Sequence, residues 1–87
     1  MTTRDDQRGR RAFAEVMTFP APDDPGPAAA AMLDYVFADV WQRPVLSRRD
    51  RRFVTLACVA AADADGPLRD HVYAALNSGD LTIVEMR

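Results

Sequence analysis

The chain has 87 residues, which is enough for one small domain with little apolar core. Its formal net charge of −2 argues against nucleic-acid binding, because proteins that neutralise phosphates normally carry a positive field. Its single cysteine, Cys58, excludes an internal disulfide, and with one histidine it cannot build a zinc site. The longest strongly apolar stretch, 53–62, is too short to span a bilayer, and residues 1–6 are polar, unlike a signal peptide. We therefore expect a cytoplasmic protein that binds no metal, no membrane and no nucleic acid.

The predicted elements are all helical. A first helix over about 5–18 carries Phe13, Val16 and Met17 at helical spacing. It ends before 19–27, where four prolines forbid a continuous helix and predict a linker. A second helix over about 28–41 ends at Arg43-Pro44, and its apolar stripe consists of Met32, Leu33, Val36, Phe37 and Val40.

A third helix is predicted from its cap. Ser47, followed three residues later by Asp50, is typical of a helix N-terminus, and the helix runs to about residue 62. Between residues 53 and 62 only Thr55 is conventionally polar. A helix that is apolar on all sides is normally buried, so we expect this one to be central in the fold. Cys58 lies in its middle and is expected to be an inert structural thiol.

A fourth helix over 68–78 follows the break at 63–67, and Gly79 is its predicted left-handed stop. Thr82 and Glu85 form a further cap signature, which predicts a fifth helix of which only residues 83–87 are present. Five residues do not form a stable helix in isolation. We therefore expect a truncated chain or a partner chain that covers this region, and the small core predicts a homo-oligomer.

The single histidine, His71, is the one side chain here that can both accept and donate a proton near neutral pH. Ala74, Ala75 and Ser78 follow on the same helix face, and these small side chains leave room beside the ring. His71 is therefore a candidate acid/base catalyst lining a pocket between the third and fourth helices. The residues alone leave open a half-buried histidine that is satisfied by local hydrogen bonds.

Four arginines, Arg48, Arg49, Arg51 and Arg52, crowd the first turns of the third helix. The helix dipole disfavours positive charge there by about 0.3–1 kcal/mol per residue, so these cations need compensation. Two interpretations remain open, namely ion pairs with nearby aspartates and a bidentate contact to a substrate carboxylate. Trp41 likewise is either a core or interface anchor or the wall of a pocket.

Three segments occur in a characteristic order. They are Val40-Trp41 with Arg43-Pro44 and Leu46, then Arg51 with Thr55-Leu56-Ala57, then His71 with Ala75-Leu76-Asn77 and Gly79. In order and spacing they resemble the carboxymuconolactone decarboxylase family, and the resemblance covers about residues 13–86.

The resemblance implies an all-α, alkylhydroperoxidase-like helical bundle that is incomplete and oligomeric. It implies one domain over 1–87, with a helical core at 28–87. The expected activity is cofactor-free loss of carbon dioxide from a carboxylated lactone, a small-molecule step in aromatic catabolism. His71 would be the catalytic group, and the substrate would be bound by Arg51, Arg48, Arg49 and Trp41.

Two departures from the family pattern define the alternatives. Arg52 stands where related proteins usually carry a glutamate, which reverses the charge and leaves open a catalytically silent interaction subunit. The alkylhydroperoxidase branch has a Cys-x-x-Cys pair at the positions of Ala64 and Pro67, so both redox sulfurs are missing here. Peroxidase activity is therefore the weaker of the two known family activities for this chain.

Overall fold

The computed structural model describes the backbone of residues 4–87 and the side chains from Gln7 onward. Within residues 4–87 there are helices and turns but no strand, so the all-α prediction is confirmed. The chain forms two compact units, one ending at Pro44 and the other comprising Val45–Arg87. The elements are α1 (Arg4–Met17), α2 (Pro27–Met32), a π-helical segment (Leu33–Phe37), a 3-10 turn (Val40–Gln42), α3 (Arg48–Ala61) and α4 (Asp65–Ser78).

In the first unit, α1 packs against the π-helical segment. The ring centroids of Phe13 and Phe37 are 4.8 Å apart in an edge-to-face arrangement, which is a favourable geometry for aromatic pairs. Gly9 permits the close approach, since a Cβ built there would lie 3.0 Å from the carbonyl carbon of Leu33. The buried apolar side chains of this unit are Ala12, Val16, Met17, Ala21, Leu33, Phe37, Ala38 and Trp41.

The prediction of one continuous second helix over 28–41 is wrong. The helix widens to a π-helical segment at Leu33–Phe37, where the N–H of Ala38 bonds the carbonyl of Leu33, and it tightens again at Val40–Gln42. In an α-helix of 3.6 residues per turn, side chains four positions apart point in slightly different directions around the helix axis. A wider π-helical turn brings side chains four positions apart closer to one direction. Leu33, Phe37 and Trp41, spaced four apart, are therefore all buried.

In the second unit, α3 and α4 pack against each other. The predicted cap of α3 is confirmed, because the N–H of Asp50 donates to the Ser47 hydroxyl at 3.0 Å. Helix α4 begins at Asp65, earlier than predicted, because a proline in the first helical turn costs no hydrogen bond and Pro67 lies there. Gly79 ends α4 in the left-handed conformation, with φ 82°, as predicted.

The predicted cap at Thr82 and Glu85 is also confirmed. The Thr82 N–H donates to the Glu85 carboxylate at 3.0 Å, and the Glu85 N–H donates to the Thr82 hydroxyl at 3.3 Å. The predicted fifth helix over 83–87 is wrong, because residues 83–86 form a turn and not a helix. Leu81, directly before it, is 2% exposed and anchors this segment in the second unit.

The expectation that the third helix is buried on all sides is wrong for the chain by itself. Within residues 48–61, all of which the structure describes, only Arg52 is buried. Phe53, Val54 and Cys58 are exposed on α3, and Ile83 and Val84 are exposed on the C-terminal turn. One neighbouring helix, α4, covers one side of α3 and leaves its remaining apolar surface open.

We expect the protein to associate through this apolar surface of the second unit, because large exposed apolar patches are uncommon on monomers. Sedimentation velocity at micromolar concentration should show a dimer or larger species. Val54→Glu should shift the distribution towards monomer, whereas Arg11→Glu, a charge change on exposed α1 surface, should not. A cooperatively folded wild-type monomer at these concentrations would contradict the prediction.

Candidate functional site

An ion pair between a buried arginine and a partly exposed aspartate joins α3 to the end of α4. Arg52 is only 1% exposed, and its Nε donates to Asp80 Oδ2 at 2.9 Å. Asp80 follows Gly79, whose left-handed conformation turns the chain back at the end of α4. The backbone of Asp80 is held as well, because its N–H donates to the Ser78 hydroxyl and its carbonyl accepts from Arg49. A fixed positive charge is therefore buried between α3 and the end of α4.

His71 lies half-buried on α4. Burial lowers the pKa of its imidazole below the ordinary value of 6.5, and the positive charge of Arg52 lowers the pKa further. The carboxylate of Asp70 acts in the opposite direction with a smaller effect. The ring is therefore neutral at pH 7, and a neutral imidazole can accept a proton. Ala74 and Ala75, on the same helix, are fully buried.

Arg49 is engaged by a carboxylate of the chain itself. Its guanidinium forms a two-point ion pair with Glu85 and also donates to the Asp80 carbonyl at 2.9 Å. The hydrogen bond from Arg49, with one from the Thr82 backbone, lowers the pKa of Glu85 to about 2. The cation also lies 5.1 Å from the ring centroid of Phe53, within the range of a cation–π contact. An anion that binds the same edge of the Arg49 guanidinium therefore competes with Glu85.

The other predicted binding residues fall into both units. Arg48 and Arg51 are partly exposed on α3, and the Nε atom of Arg51 is out of contact with solvent. Trp41 belongs to the first unit, where it is buried in the apolar core on the 3-10 turn. His71, Arg48, Arg49 and Arg51 thus share the hairpin of α3 and α4.

Asp80 is the site residue that sequence reasoning missed. Its only signal is an acidic side chain directly after the helix-ending Gly79, and acidic residues are common in such turns. Arg52 was singled out as a departure from the family pattern, but nothing in the sequence shows that it is buried. The contact between them bridges 28 positions of the chain, so it depends on how α3 and α4 pack.

Two other features of the described residues bear on ligand binding, namely possible metal ligands and a cleft in the first unit. Among the residues that the structure describes, no group of three His, Cys, Asp or Glu side chains could hold a metal ion. The first unit carries a cleft of about 340 Å³, in which Arg10 is already engaged by Asp23 and by the Pro22 carbonyl. The cleft contains none of the predicted site residues; it is lined by Gln7, Arg10, Asp23, Asp24, Pro25, Ala30, Leu33 and Asp34.

Comparison with protein-family models decides the family. Residues 26–82 match the model of the carboxymuconolactone decarboxylase family, which covers more than half of the chain. The chain belongs to this family. Comparisons with curated proteins and with solved structures found no match. At the family level, the function of this carboxymuconolactone decarboxylase family member is decarboxylase-like or alkylhydroperoxidase-like. Within residues 4–87, no helix is both long and apolar enough to cross a membrane.

Cys58 is exposed on α3, which corrects the expectation that it is buried. The absence of a second cysteine still bears on peroxide chemistry, because sustained reduction of a peroxide needs a resolving thiol. In dilute native protein, we expect one equivalent of a thiol reagent to react and no sustained turnover of hydroperoxide. Cys58→Ser is the control for the thiol count. Sustained peroxide reduction that is lost in Cys58→Ser would contradict the prediction.

Proposed function

We propose that this family member is a cytoplasmic, cofactor-free decarboxylase that acts on a carboxylated lactone or a related cyclic carbonyl compound. Family membership suggests two types of chemistry, and the single cysteine leaves no resolving thiol for the peroxidase type. The observation that carries the proposal is the environment of His71. It is the one histidine of the chain, and it is held half-buried and neutral on the hairpin that also carries the arginine cluster.

In the proposed reaction, the bond between the ring carbon and the carboxylate breaks, and carbon dioxide leaves. The electron pair passes into the conjugated carbonyl system as an enolate. His71 takes up one proton, from the substrate carboxyl or from hydronium in the solvent, and delivers it to the carbon that has lost its carboxylate. A neutral imidazole can accept a proton and then donate it, so it is suited to both transfers. The imidazole returns to its neutral form, so the proton balance closes.

Arg51 is proposed as the main anchor for a substrate carboxylate, with Arg48 beside it on the exposed start of α3. Arg49 forms an ion pair with Glu85, so a substrate carboxylate binding there would compete with that side chain. Charge-assisted bonds between a guanidinium and a carboxylate contribute about 1.5–3 kcal/mol. Trp41 is buried in the apolar core of the first unit, so it enters the proposal as a core anchor and not as a polar contact to the substrate.

The direct test is to incubate the purified protein with a carboxylated muconolactone and to measure released carbon dioxide without added cofactor. Arg51→Ala should raise KM by about 10–100-fold, the loss of one charge-assisted contact, while kcat changes less. Arg11→Ala, which removes an exposed arginine from α1, is the matched control and should behave like the wild type. Equal KM values for Arg51→Ala and the control would remove the anchoring role.

A catalytically silent interaction subunit is the second candidate. The observation that favours it is Arg52, which is buried against Asp80 at a position where related proteins carry an acid. This candidate predicts a folded, oligomeric protein that releases no carbon dioxide from any lactone offered. Turnover that depends on His71 would exclude it.

A further inference from the structure

We propose that Arg49 is the centre of a binding site for a small carboxylate, that Glu85 occupies this site in the free protein, and that an arriving carboxylate displaces Glu85 and releases the C-terminal turn, residues 83–86. The site can be tested without any reaction. That its natural ligand is the carboxylated substrate rests on the proposed function.

The carboxylate of Glu85 shows what the site recognises. Arg49 binds both of its oxygens, with Nη1 donating to Oε1 at 3.1 Å and Nη2 donating to Oε2. Thr82 adds two donors to Oε1, its backbone N–H at 3.0 Å and its hydroxyl at 3.2 Å. A guanidinium that contacts both oxygens matches the planar shape of a carboxylate as well as its charge. The site is therefore specific for a carboxylate and not only for negative charge.

The guanidinium of Arg49 is held in place by groups other than Glu85. Its Nη1 also donates to the Asp80 carbonyl at 2.9 Å, and its cation lies 5.1 Å from the ring centroid of Phe53. Arg49 is in the first turn of α3, and a helix N-terminus favours a bound anion. These contacts remain when Glu85 leaves, so a free carboxylate meets an oriented guanidinium.

Glu85 is an occupant that a ligand can replace. The side chains of Arg49 and Glu85 are 46% and 31% exposed, so small molecules reach the pair from solvent. Exposed ion pairs are weak, because water and salt screen them. Ile83 and Val84 are 60% and 70% exposed and gain little from the position of the turn, whereas Leu81, directly before it, is 2% exposed. The turn can therefore leave α3 while the chain stays anchored at Leu81.

Competition from Glu85 lowers the apparent affinity of the site for other carboxylates. The apparent dissociation constant is the intrinsic one divided by the fraction of molecules in which the site is open. An exposed ion pair favours the occupied state by up to about fivefold. Removing the competing carboxylate should therefore tighten binding by about this factor.

The test is an NMR titration of the isotope-labelled protein with sodium acetate, at an ionic strength held constant with sodium chloride. The signals followed are the backbone N–H groups of Arg49 and Thr82. Glu85→Gln should bind acetate about fivefold more tightly than the wild type. Glu15→Gln, which changes the exposed glutamate of α1, is the matched control and should behave like the wild type. Arg49→Ala should bind no acetate at this site.

Displacement has its own signature in the wild type. Acetate should move the N–H signals of residues 84–86 to the positions that they have in Arg49→Ala without acetate, because the turn is released in both samples. Equal acetate affinities in the wild type and Glu85→Gln would overturn the proposal, and so would acetate binding that leaves these signals unmoved. If Arg49→Ala does not fold, the comparison of the wild type with Glu85→Gln decides.

Failure of the proposed function gives a different result. With a carboxylated muconolactone as the probe, Glu85→Gln should lower KM by the same factor as it lowers the acetate dissociation constant. Tighter acetate binding in a protein that releases no carbon dioxide would keep the carboxylate site and remove the decarboxylase. Carbon dioxide release with equal acetate affinities in the wild type and Glu85→Gln would keep the decarboxylase and remove the competition by Glu85.

Discussion

We expect His71→Ala to lower turnover of a carboxylated lactone by about 10²–10⁴-fold, the usual contribution of a positioned acid/base group. The helical fold should persist, because the half-buried ring is not among the buried apolar side chains of the second unit. Circular dichroism and steady-state carbon dioxide release measure the two effects separately. Asn77→Ala, an exposed polar truncation on the same helix, is the matched control and should keep wild-type turnover.

The pH dependence gives an independent check on the same residue. The pKa of His71 is lowered below 6.5, so the free enzyme holds the neutral imidazole at pH 7 and loses it only as the pH falls through that lowered pKa. We expect kcat/KM to rise with pH on the acid side, with a midpoint below 6.5, and then to level off. Full activity in His71→Ala, or an acid limb centred above 6.5, would contradict the role of His71.

The same shift has a consequence for stability. Because the folded pKa lies below the unfolded value, the unfolded chain binds its proton first as the pH falls below 6.5. The contribution of His71 to the free energy of unfolding is therefore fully present above the pKa that the residue has in the unfolded chain. This contribution is lost as the pH falls through the pKa that the residue has in the folded protein. The wild type should lose stability over this window relative to His71→Ala in parallel denaturant titrations.

We expect Asp80→Ala to lower the free energy of unfolding by about 3 kcal/mol, because it leaves the cation of Arg52 buried beside a deleted counter-ion. The value lies at the lower end of the 3–5 kcal/mol typical of broken buried pairs, since Asp80 is 28% exposed and water can partly replace it. Such a loss is large for a small domain with a total stability of about 5–15 kcal/mol. Urea unfolding followed by circular dichroism at low temperature measures it.

Two controls define what that loss means. Asp70→Ala removes an exposed carboxylate from the same helix and should change stability by less than about 0.5 kcal/mol, as ordinary surface changes do. The double variant Arg52→Leu with Asp80→Leu should recover most of the lost stability, because removing both charges avoids the unpaired cation. Equal losses of unfolding free energy in Asp80→Ala and Asp70→Ala would show that the Arg52–Asp80 pair contributes no more to stability than a surface residue does.

Local structure in this chain was predictable where it depends on neighbouring residues. The hydroxyl of Ser47 caps α3 because its partner N–H lies three residues ahead, and Thr82 with Glu85 closes a cap in the same way. Gly79 stops α4 because a left-handed residue is needed there and glycine adopts that conformation without strain. The all-α fold class and the family follow from such short-range patterns and from the spacing of a few motifs.

The sequence by itself thus determined the first, third and fourth helices and the caps at Ser47 and Gly79, and it singled out His71 as a candidate catalytic residue. Only the tertiary structure decided which surfaces are covered. It widened the second helix so that Leu33 and Phe37 both reach the core, and it left most of the apolar helix α3 exposed. It also buried Arg52 against Asp80. Burial and ion pairing join residues far apart in the chain, and the energy of such contacts depends on packing geometry that no local pattern encodes.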